Sequence, residues 1–202
     1  DNVKIETSTK SDLSAKAFVM KHQLRHQWTL WYLDNDRNKS WEEKQNEVST
    51  FDTVEDFWSL YNEIKLASEL QPGNDYSLFK NNIRPMWEDP ANANGGRWIL
   101  SMYTPQQLSS LNNLWLNVML CLIGECVDYA DDINGAVVSI RPRTAKISIW
   151  TADCTNRDAI LGIGLVLRGC LELPSDIEMC YGKHEDTANH SSNKSIVLPL
   201  QN

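Results

Sequence analysis

Two tryptophans lie in polar segments of the sequence, where a large aromatic side chain has few apolar neighbours. Trp41 stands in the segment NKSWEEK, and Trp87 stands in the segment PMWEDP. Large exposed indoles are uncommon unless they bind a ligand. Two such rings facing each other would form a slot for a flat molecule. The cation–π interaction of a desolvated indole with a cation is worth roughly 2 kcal/mol or more, so the slot favours a planar base with a positive charge.

The residue after Trp87 adds a hydrogen-bond acceptor to this chemistry. Glu88 carries a carboxylate that can accept two parallel N–H bonds. Guanine offers such a pair at N1 and N2, and methylation at N7 gives the base its positive charge. The residue types therefore predict a site for 7-methylguanine, on the condition that the two loops meet. The alternative for any one of the eight tryptophans is an ordinary core position.

Basic residues form a second group. Arg97, Arg141, Arg143 and Lys146 lie at predicted strand ends or in a predicted hairpin loop. The chain as a whole has a net charge of −8, so a local basic group indicates an anion site. Arginine can hold phosphate with two hydrogen bonds, whereas lysine acts as a mobile point charge. The alternative is a solvated hairpin tip.

The composition excludes several classes of protein. The 202 residues are enough for one ordinary domain, and the acidic balance argues against non-specific coating of nucleic acid. No apolar run is long enough to span a membrane, and the first residues contain no apolar stretch of signal-peptide length. We therefore expect a cytoplasmic protein that does not contact a membrane.

Cysteine spacing and catalytic motifs give no sign of a metal, a cofactor or an enzyme. The five cysteines include no CxxC pair, and the four histidines lie near the two ends of the chain. This pattern predicts reduced, structural thiols and no zinc site. The nucleotide-binding, zinc-protease and serine-hydrolase motifs are also missing. The residues Glu42, Glu43 and Glu47 could hold a metal, although a solvated acidic stretch is the commoner role of such a run.

Hydrophobic periodicity predicts an α+β domain. Apolar residues recur at helical spacing over 53–64, 106–127 and 156–169. Strands are predicted at 27–33, 76–80, 97–103, 136–140, 146–150, 177–181 and 195–198. We expect an antiparallel sheet with helices on one face and a partly open second face that suits a binding site. Residues 1–21 are predicted to be a mobile tail, and residues 22–202 a single domain.

Together these segments resemble the eukaryotic translation initiation factor 4E family. The resemblance is carried, in collinear order over residues 22–198, by WTLWYLDNDRNKSW, FDTVEDFWSLYN, DYSLFKNNIRPMWED, GGRWIL, LWLNVMLCLIGE, GAVVSIR and KISIWTAD. It implies a strongly curved antiparallel sheet of about eight strands, backed by three helices on the convex face. It also implies that the concave face binds the 7-methylguanosine cap of mRNA.

The resemblance assigns roles to the base-binding residues. Trp41 and Trp87 would sandwich the methylated base, and Glu88 would pair with its N1 and N2 protons. The backbone N–H of Trp87 would meet O6, and Trp150 would approach the N7-methyl group. The roles of the two loop tryptophans and of Glu88 agree with those expected from residue chemistry alone.

The resemblance also assigns a phosphate site. Arg141 and Lys146 would hold the triphosphate, and Arg97 would contribute to the same basic wall. Where the family has a further basic residue near the triphosphate, this chain has His190, with Lys194 nearby.

The convex face would be the docking surface for partner proteins, namely the initiation scaffold subunit 4G and 4E-binding proteins. A helical peptide of the form Tyr-x4-Leu-apolar would dock there. The matching positions are Val54, Trp58, Leu116 and Leu120. Periodicity alone supports this assignment weakly, because Val54 and Trp58 suit core positions equally well.

Departures from the family pattern concern partner binding and regulation. Where the family has His-Pro-Leu before the first strand, this chain has His22, Gln23 and Leu24. Where it has an acidic residue after the Trp-Leu of the long helix, this chain has Asn117, and its phosphorylatable serine aligns with Asn193. We place His22, Leu24 and Asn117 on the partner surface and expect its strength to be altered.

Three functions remain open from the sequence. The first is a non-enzymatic cap-binding factor that recruits capped mRNA to the translation initiation scaffold. The second is a cap-binding repressor or tissue-restricted isoform with weakened scaffold binding. The third, a cap-processing hydrolase, would release cleaved cap products in the presence of magnesium, and we expect none.

Overall fold

The framework of the molecule is an antiparallel sheet. The computed structural model describes residues 20–36, 38–173, 176–188 and 196–198. Its strands are β1 (Gln23–Leu33), β2 (Gln45–Thr53), β3 (Asp75–Lys80), β4 (Gly96–Met102), β5 (Ile133–Arg141), β6 (Thr144–Thr151), β7 (Met179–Lys183) and β8 (Ile196–Leu198). Within the described residues they form one sheet in the order β2-β1-β3-β5-β6-β4-β7-β8, in which all neighbours are antiparallel.

Alternation along the strands gives the sheet two different faces. On β4, Trp98 and Leu100 are fully buried in the hydrophobic core, whereas Arg97 lies on the opposite side of the strand. We call the first side the helix face and the second the cleft face. Because side chains alternate along a strand, Ser148 and Trp150 of β6 lie on the cleft face together with Arg97.

The long helices α2 (Val54–Glu63), α4 (Leu111–Ile123) and α5 (Arg157–Cys170) cover the helix face. The short helices are α1 (Trp41–Lys44), α3 (Pro105–Ser109) and α6 (His184–Ala188). Thr53 caps α2 and Asn156 caps α5, each by accepting a backbone N–H of the first turn, at 3.1 and 3.2 Å. The indole N–H of Trp98 donates to the Ile160 carbonyl at 3.0 Å and joins α5 to the sheet.

The predicted α+β architecture is confirmed, and the three predicted helices correspond to α2, α4 and α5. The segment predicted as one helix over 106–127 is α3 followed by α4. The hydroxyls of Ser109 and Ser110 donate to backbone carbonyls one turn earlier, at 2.6 and 2.7 Å, and compete there with helical hydrogen bonding. The helix ends at Ile123 because the chain turns back at Glu125, whose φ is +48°.

Some elements were not predicted. The edge strand β2 is mostly exposed or half-buried and has a polar sequence without alternation, so it carries no periodic signal. The short helices α1 and α6 also lie in segments for which neither a helix nor a strand was predicted. The predicted mobile tail falls mostly on residues 1–19, outside the described residues. Among the described helices, none is long and apolar enough to cross a membrane.

Candidate functional site

A cleft of about 440 Å³ opens on the cleft face of the sheet. It lies above β3, β4, β5 and β6, with the loop 81–95 on one side and the ends of β1 and β2 on the other. Its lining contains five of the seven side chains that the sequence analysis assigned to the cap, namely Trp87, Glu88, Arg97, Arg141 and Trp150. The fold therefore gathers residues from three strands and one loop at a single opening.

The loop that carries Trp87 and Glu88 is held by buried or half-buried polar side chains. Asp89 accepts hydrogen bonds from two backbone N–H groups of the loop, at 3.0 and 2.9 Å. Asn92 is fully buried and donates to two backbone carbonyls of the loop, at 3.0 and 2.9 Å. Asn134 of β5 donates to the side-chain oxygen of Asn92 at 2.9 Å and ties the loop to the sheet.

The loop presents two groups to solvent. Trp87 is 49% exposed, which is a high value for an indole. Glu88 is exposed as well, and no hydrogen bond from the described residues reaches its carboxylate. An available aromatic face thus stands beside an available anionic acceptor, which is the pair that a cationic purine with two adjacent N–H groups requires.

The second predicted tryptophan, Trp41, is the first residue of α1, and its side chain lies outside the part that the structure describes. A capping box defines the start of this helix. The Ser40 hydroxyl accepts the Glu43 N–H at 3.3 Å, and the Glu43 carboxylate accepts the Ser40 N–H at 2.8 Å. Gln45, directly after α1, lines the cleft, so α1 adjoins it. The stacking role of Trp41 stays a prediction.

Trp150 forms part of the floor of the cleft. It is buried on β6, with its ring centroid 5.5 Å from that of Phe79 and 4.1 Å from that of His184. Burial, with a smaller contribution from the charge of Arg97, lowers the pKa of His184 to about 4. At neutral pH an uncharged imidazole therefore lies against Trp150, and the positive charge in this part of the cleft belongs to Arg97.

Sequence analysis missed the supporting residues of the site. His184 follows β7 and reaches the floor only because β7 pairs with β4, and a single histidine in a sequence carries no sign of such a contact. Asn92 and Asn134 also could not be identified from the sequence, because asparagine in a loop or at a strand end is common. Their contacts depend on the sheet order, which brings distant segments together.

Two arginines contribute positive charge to the cleft. Arg97 of β4 stands opposite Trp150 in the strand register, and burial lowers its pKa, although a guanidinium remains charged at neutral pH. Arg141, the last residue of β5, donates to the Asp75 carboxylate at 2.6 and 3.5 Å. Burial raises the pKa of Asp75, and the hydrogen bond from Arg141 opposes that shift. This carboxylate orients Arg141 but also neutralises part of its charge.

Lys146 lies outside the lining of the cleft. It is exposed on the same face of β6 as Ser148 and Trp150, closer to the hairpin turn. Four residues separate Lys146 from Trp150, which is roughly 13 Å along a strand. Arg143 is exposed in the turn itself. His190, Asn193 and Lys194 fall outside the described residues.

The positions predicted to bind a partner lie on the helix face. Trp58 of α2 is 37% exposed, and Val54, one turn earlier, is half-buried. On α4, Leu116, Asn117 and Leu120 are all half-buried, whereas the residues between and before them enter the core. The two helices thus present partly exposed apolar side chains on the side of the sheet away from the cleft.

The residues before β1 are fixed to α2. The His22 carbonyl accepts the Val54 N–H at 2.9 Å, and the His22 ring and backbone N–H contact the Glu55 carboxylate at 2.6 and 2.9 Å. These hydrogen bonds lower the pKa of Glu55. Leu24 is half-buried and packs against the core. The prediction that His22 and Leu24 take part in partner binding stays untested by these contacts.

Known proteins resemble this chain over most of its length. A family model described as eukaryotic initiation factor 4E matches residues 23–197. Eukaryotic translation initiation factor 4E1 of Drosophila melanogaster is 58% identical over 183 residues, which is 90% of this chain and 70% of that protein. Eukaryotic translation initiation factor 4E of Homo sapiens is 47% identical over 187 residues, which is 92% of this chain and 86% of that protein.

Solved structures agree with these similarities. The complex of Ascaris suum eIF4E-3 with the m2,2,7G cap has a TM-score of 0.84 at 44% identity, covering 89% of this chain and 99% of that chain. The complex of C. elegans eIF4E-3 with the 4E-binding protein Mextli and a cap analog has a TM-score of 0.81 at 45% identity, covering 89% of this chain and 100% of that chain. On these grounds the chain belongs to the eukaryotic initiation factor 4E family.

Proposed function

We propose that this chain binds the 7-methylguanosine cap of mRNA in the cleft and recruits the capped mRNA to the translation initiation scaffold. The observation that carries the proposal is the pairing of an exposed indole, Trp87, with the Glu88 carboxylate, which receives no hydrogen bond from the described part of the chain, at the mouth of a cleft that also contains two arginines. In this function the chain binds and delivers its ligand in the cytoplasm without catalysing a reaction.

The base end of the ligand occupies the loop side of the cleft. The cationic ring of 7-methylguanine stacks on Trp87 and, on its other side, on Trp41. The Glu88 carboxylate accepts the N1 and N2 protons, and the Trp87 backbone N–H donates to O6. Trp150 forms the floor beneath the N7-methyl group, with the uncharged His184 behind it.

The phosphate end points along β6 toward the hairpin turn. Arg97 lies beside the base, Arg141 lines the cleft, and Lys146 is exposed at its rim. The roughly 13 Å between Trp150 and Lys146 suits a ligand that extends from a base through a ribose to a triphosphate. A few well-placed cations are enough for one nucleotide end, which agrees with the net charge of −8.

The partner surface on the helix face takes a peptide helix of the form Tyr-x4-Leu-apolar from the scaffold subunit 4G and from 4E-binding proteins. Its apolar anchors are Val54, Trp58, Leu116 and Leu120, with Asn117 at the rim. In support, related structures hold a 4E-binding protein together with a cap analog. Binding on opposite faces of one sheet allows both ligands to be held at the same time.

The experiment is a direct titration of the protein with 7-methyl-GTP, followed by the quenching of tryptophan fluorescence. Glu88→Ala removes two hydrogen bonds to a charged group, each worth roughly 1.5–3 kcal/mol, and should raise Kd at least about tenfold. Glu178→Ala, which removes an exposed carboxylate outside the cleft, is the matched control. Unmethylated GTP should bind far more weakly than its 7-methyl form. Equal affinity of Glu88→Ala and the unmodified protein would remove Glu88 from the site.

A further inference from the structure

Three cysteines converge at one point on the helix face, away from the cleft. Cys121 lies in the last turn of α4, Cys126 follows three residues after the end of that helix, and Cys170 is the last residue of α5. All three are free thiols, and their sulfur atoms lie within 4.8 Å of one another. The other two cysteines, Cys154 and Cys180, do not belong to this cluster.

The chain reversal after α4 brings two of these thiols together. Glu125 has a φ of +48°, an uncommon conformation for a residue with a long side chain. Its carboxylate is held by Arg25 at 2.8 Å and by His26. The reversal lets the Cys126 N–H donate to the Cys121 carbonyl at 3.3 Å, and the Cys126 thiol contacts the same carbonyl at 3.5 Å. Cys126 is therefore held in place by defined contacts.

The surroundings of the cluster favour a cation. The C-terminal ends of α4 and α5 meet there, and the carbonyl groups of a helix end carry a partial negative charge that attracts positive ions. The same surroundings disfavour free thiolates, because burial and the neighbouring sulfurs raise the pKa of Cys121. Cys121 is thus not the low-pKa thiolate that nucleophilic or redox catalysis requires.

We infer that Cys121, Cys126 and Cys170 form a binding site for a thiophilic metal ion, Zn²⁺ or Cu⁺. A zinc ion with Zn–S bonds of about 2.3 Å in a tetrahedral arrangement places its sulfur ligands roughly 3.8 Å apart, so only small side-chain shifts are needed. Water completes the shell of zinc, whereas Cu⁺ accepts three sulfur ligands alone. Ion access is open because Cys126 and Cys170 are exposed.

The sequence analysis predicted no zinc site, and the difference has a physical reason. Cys121 and Cys126 are too far apart for a CxxC motif, and Cys170 belongs to another helix. The fold supplies the third ligand by placing the end of α5 beside the end of α4. An ion bound there would join the two helix ends and stabilise the folded state.

The test is a titration of the full, reduced chain with Co²⁺, which reports bound thiolates by a sulfur-to-cobalt charge-transfer band in the near ultraviolet. We expect a saturable band for one ion per chain, displaced by Zn²⁺, and a rise in the melting temperature when Zn²⁺ is added. Cys126→Ser and Cys170→Ser should each lower the affinity by more than the roughly 10–100-fold that loss of an outer-sphere partner costs. Cys180→Ser is the matched control and should bind as the unmodified protein does.

Competition between Zn²⁺ and Cu⁺ for the reduced protein, with metal content measured by mass spectrometry, distinguishes the two ions. Absence of the charge-transfer band in a protein with five titratable thiols would overturn the inference. So would an unchanged band in Cys170→Ser. A disulfide between two of the three cysteines in protein purified without reductant, combined with no metal binding after reduction, would identify the cluster as a redox pair instead.

Discussion

The two faces of the sheet place their functional side chains by different means. On the cleft face, hydrogen bonds position these side chains: Asn92 holds the loop of Trp87, and Asp75 orients Arg141. On the helix face, apolar packing positions them: the ring centroid of Trp58 lies 5.1 Å from that of Phe57 and 5.8 Å from that of Tyr61. A hydrogen bond fixes an atom closely, whereas an apolar contact fixes mainly a shape.

This difference implies that the two faces respond to different kinds of substitution. In the cleft, a change in a supporting residue that never touches the ligand should weaken binding, because the geometry depends on it. On the helix face, only the anchor side chains should matter strongly. Trp58→Ala is therefore measured against two ligands, 7-methyl-GTP for the cleft and a peptide of the form Tyr-x4-Leu-apolar for the helix face, and each later variant is tested on the face to which it belongs.

The largest effect is expected from Trp58→Ala. A half-exposed indole among partly exposed apolar side chains is a typical binding hot spot, worth about 2–4 kcal/mol, so peptide affinity should fall by roughly 30-fold or more. The affinity for 7-methyl-GTP should remain within twofold. Calorimetry with both ligands measures this. Leu165→Ala, which removes an exposed apolar side chain from α5, is the control. Undiminished peptide binding by Trp58→Ala would place the partner surface elsewhere.

A second effect concerns the free energy of unfolding of the protein and its dependence on pH. The pKa of His184 falls from 6.5 to about 4 on folding, so between these values the unfolded chain binds more protons than the folded one. The contribution of His184 to stability is therefore fully present above pH 6.5 and decreases as the pH falls toward 4, by up to about 3 kcal/mol.

His184→Phe isolates this effect, because phenylalanine can keep a ring against Trp150 but cannot take up a proton. Urea denaturation of both proteins across this pH range measures the free energy of unfolding. The difference between the unmodified protein and the variant should change with pH, in the direction that makes the variant relatively more stable in acid. Parallel curves would show that His184 is not buried against Trp150 as an uncharged ring.

The role of His184 marks where prediction from sequence stops. Residue chemistry and the family resemblance found the groups expected to touch the ligand, because Trp87 and Glu88 are conspicuous in a polar loop. Neither reveals Asp75 or Asn134, whose contacts arise when β3 pairs with β5 and when β5 approaches the loop. A residue that positions another is visible only in three dimensions.

The same limit applies to the fold. Long amphipathic helices were predicted correctly because their periodicity reflects burial on one side. The edge strand β2 escaped prediction, since a strand exposed on much of its surface shows no alternation of apolar residues. The early end of α4 at Ile123 escaped it too, because Glu125 at the reversal is contacted by Arg25 and His26 of β1, which lie about 100 residues earlier in the sequence.

A smaller effect is expected at the phosphate end of the cleft. Lys146→Ala removes an exposed charge, so the loss for 7-methyl-GTP should be roughly 1 kcal/mol, or about fivefold in Kd. Binding of 7-methylguanosine, which has no phosphates, should be unchanged, and added salt should reduce the difference. Lys146 is a cleaner choice than Arg141, whose removal would leave Asp75 without its partner.

Lys65→Ala, which removes an exposed lysine away from the cleft, serves as the control for this experiment. Fluorescence titrations at low and high salt with both ligands supply the measurement. Equal losses for 7-methyl-GTP and 7-methylguanosine would mean that Lys146 acts on the base or on the fold and that the phosphates bind elsewhere.

The smallest effect is expected from Asn117→Glu on the helix face. Asn117 is half-buried on α4, between the proposed apolar anchors Leu116 and Leu120. A neutral amide there can offer a docked peptide only a hydrogen bond, whereas a carboxylate can also attract a basic residue of the peptide helix. Ion pairs at the rim of an interface contribute about 0.2–1 kcal/mol, so the variant should bind a basic peptide up to about fivefold more tightly.

The effect of Asn117→Glu should be clearest at low salt. At physiological ionic strength, salt screens the attraction between partly exposed charges over about 8–10 Å. Gln106→Glu, which adds the same charge at an exposed position of α3, controls for the change in net charge. Calorimetry at two salt concentrations would decide the point. An equal gain in affinity in both variants would show an effect of overall charge, and a gain that does not decrease with salt would show that no ion pair forms. Either result would remove Asn117 from the rim of the partner surface.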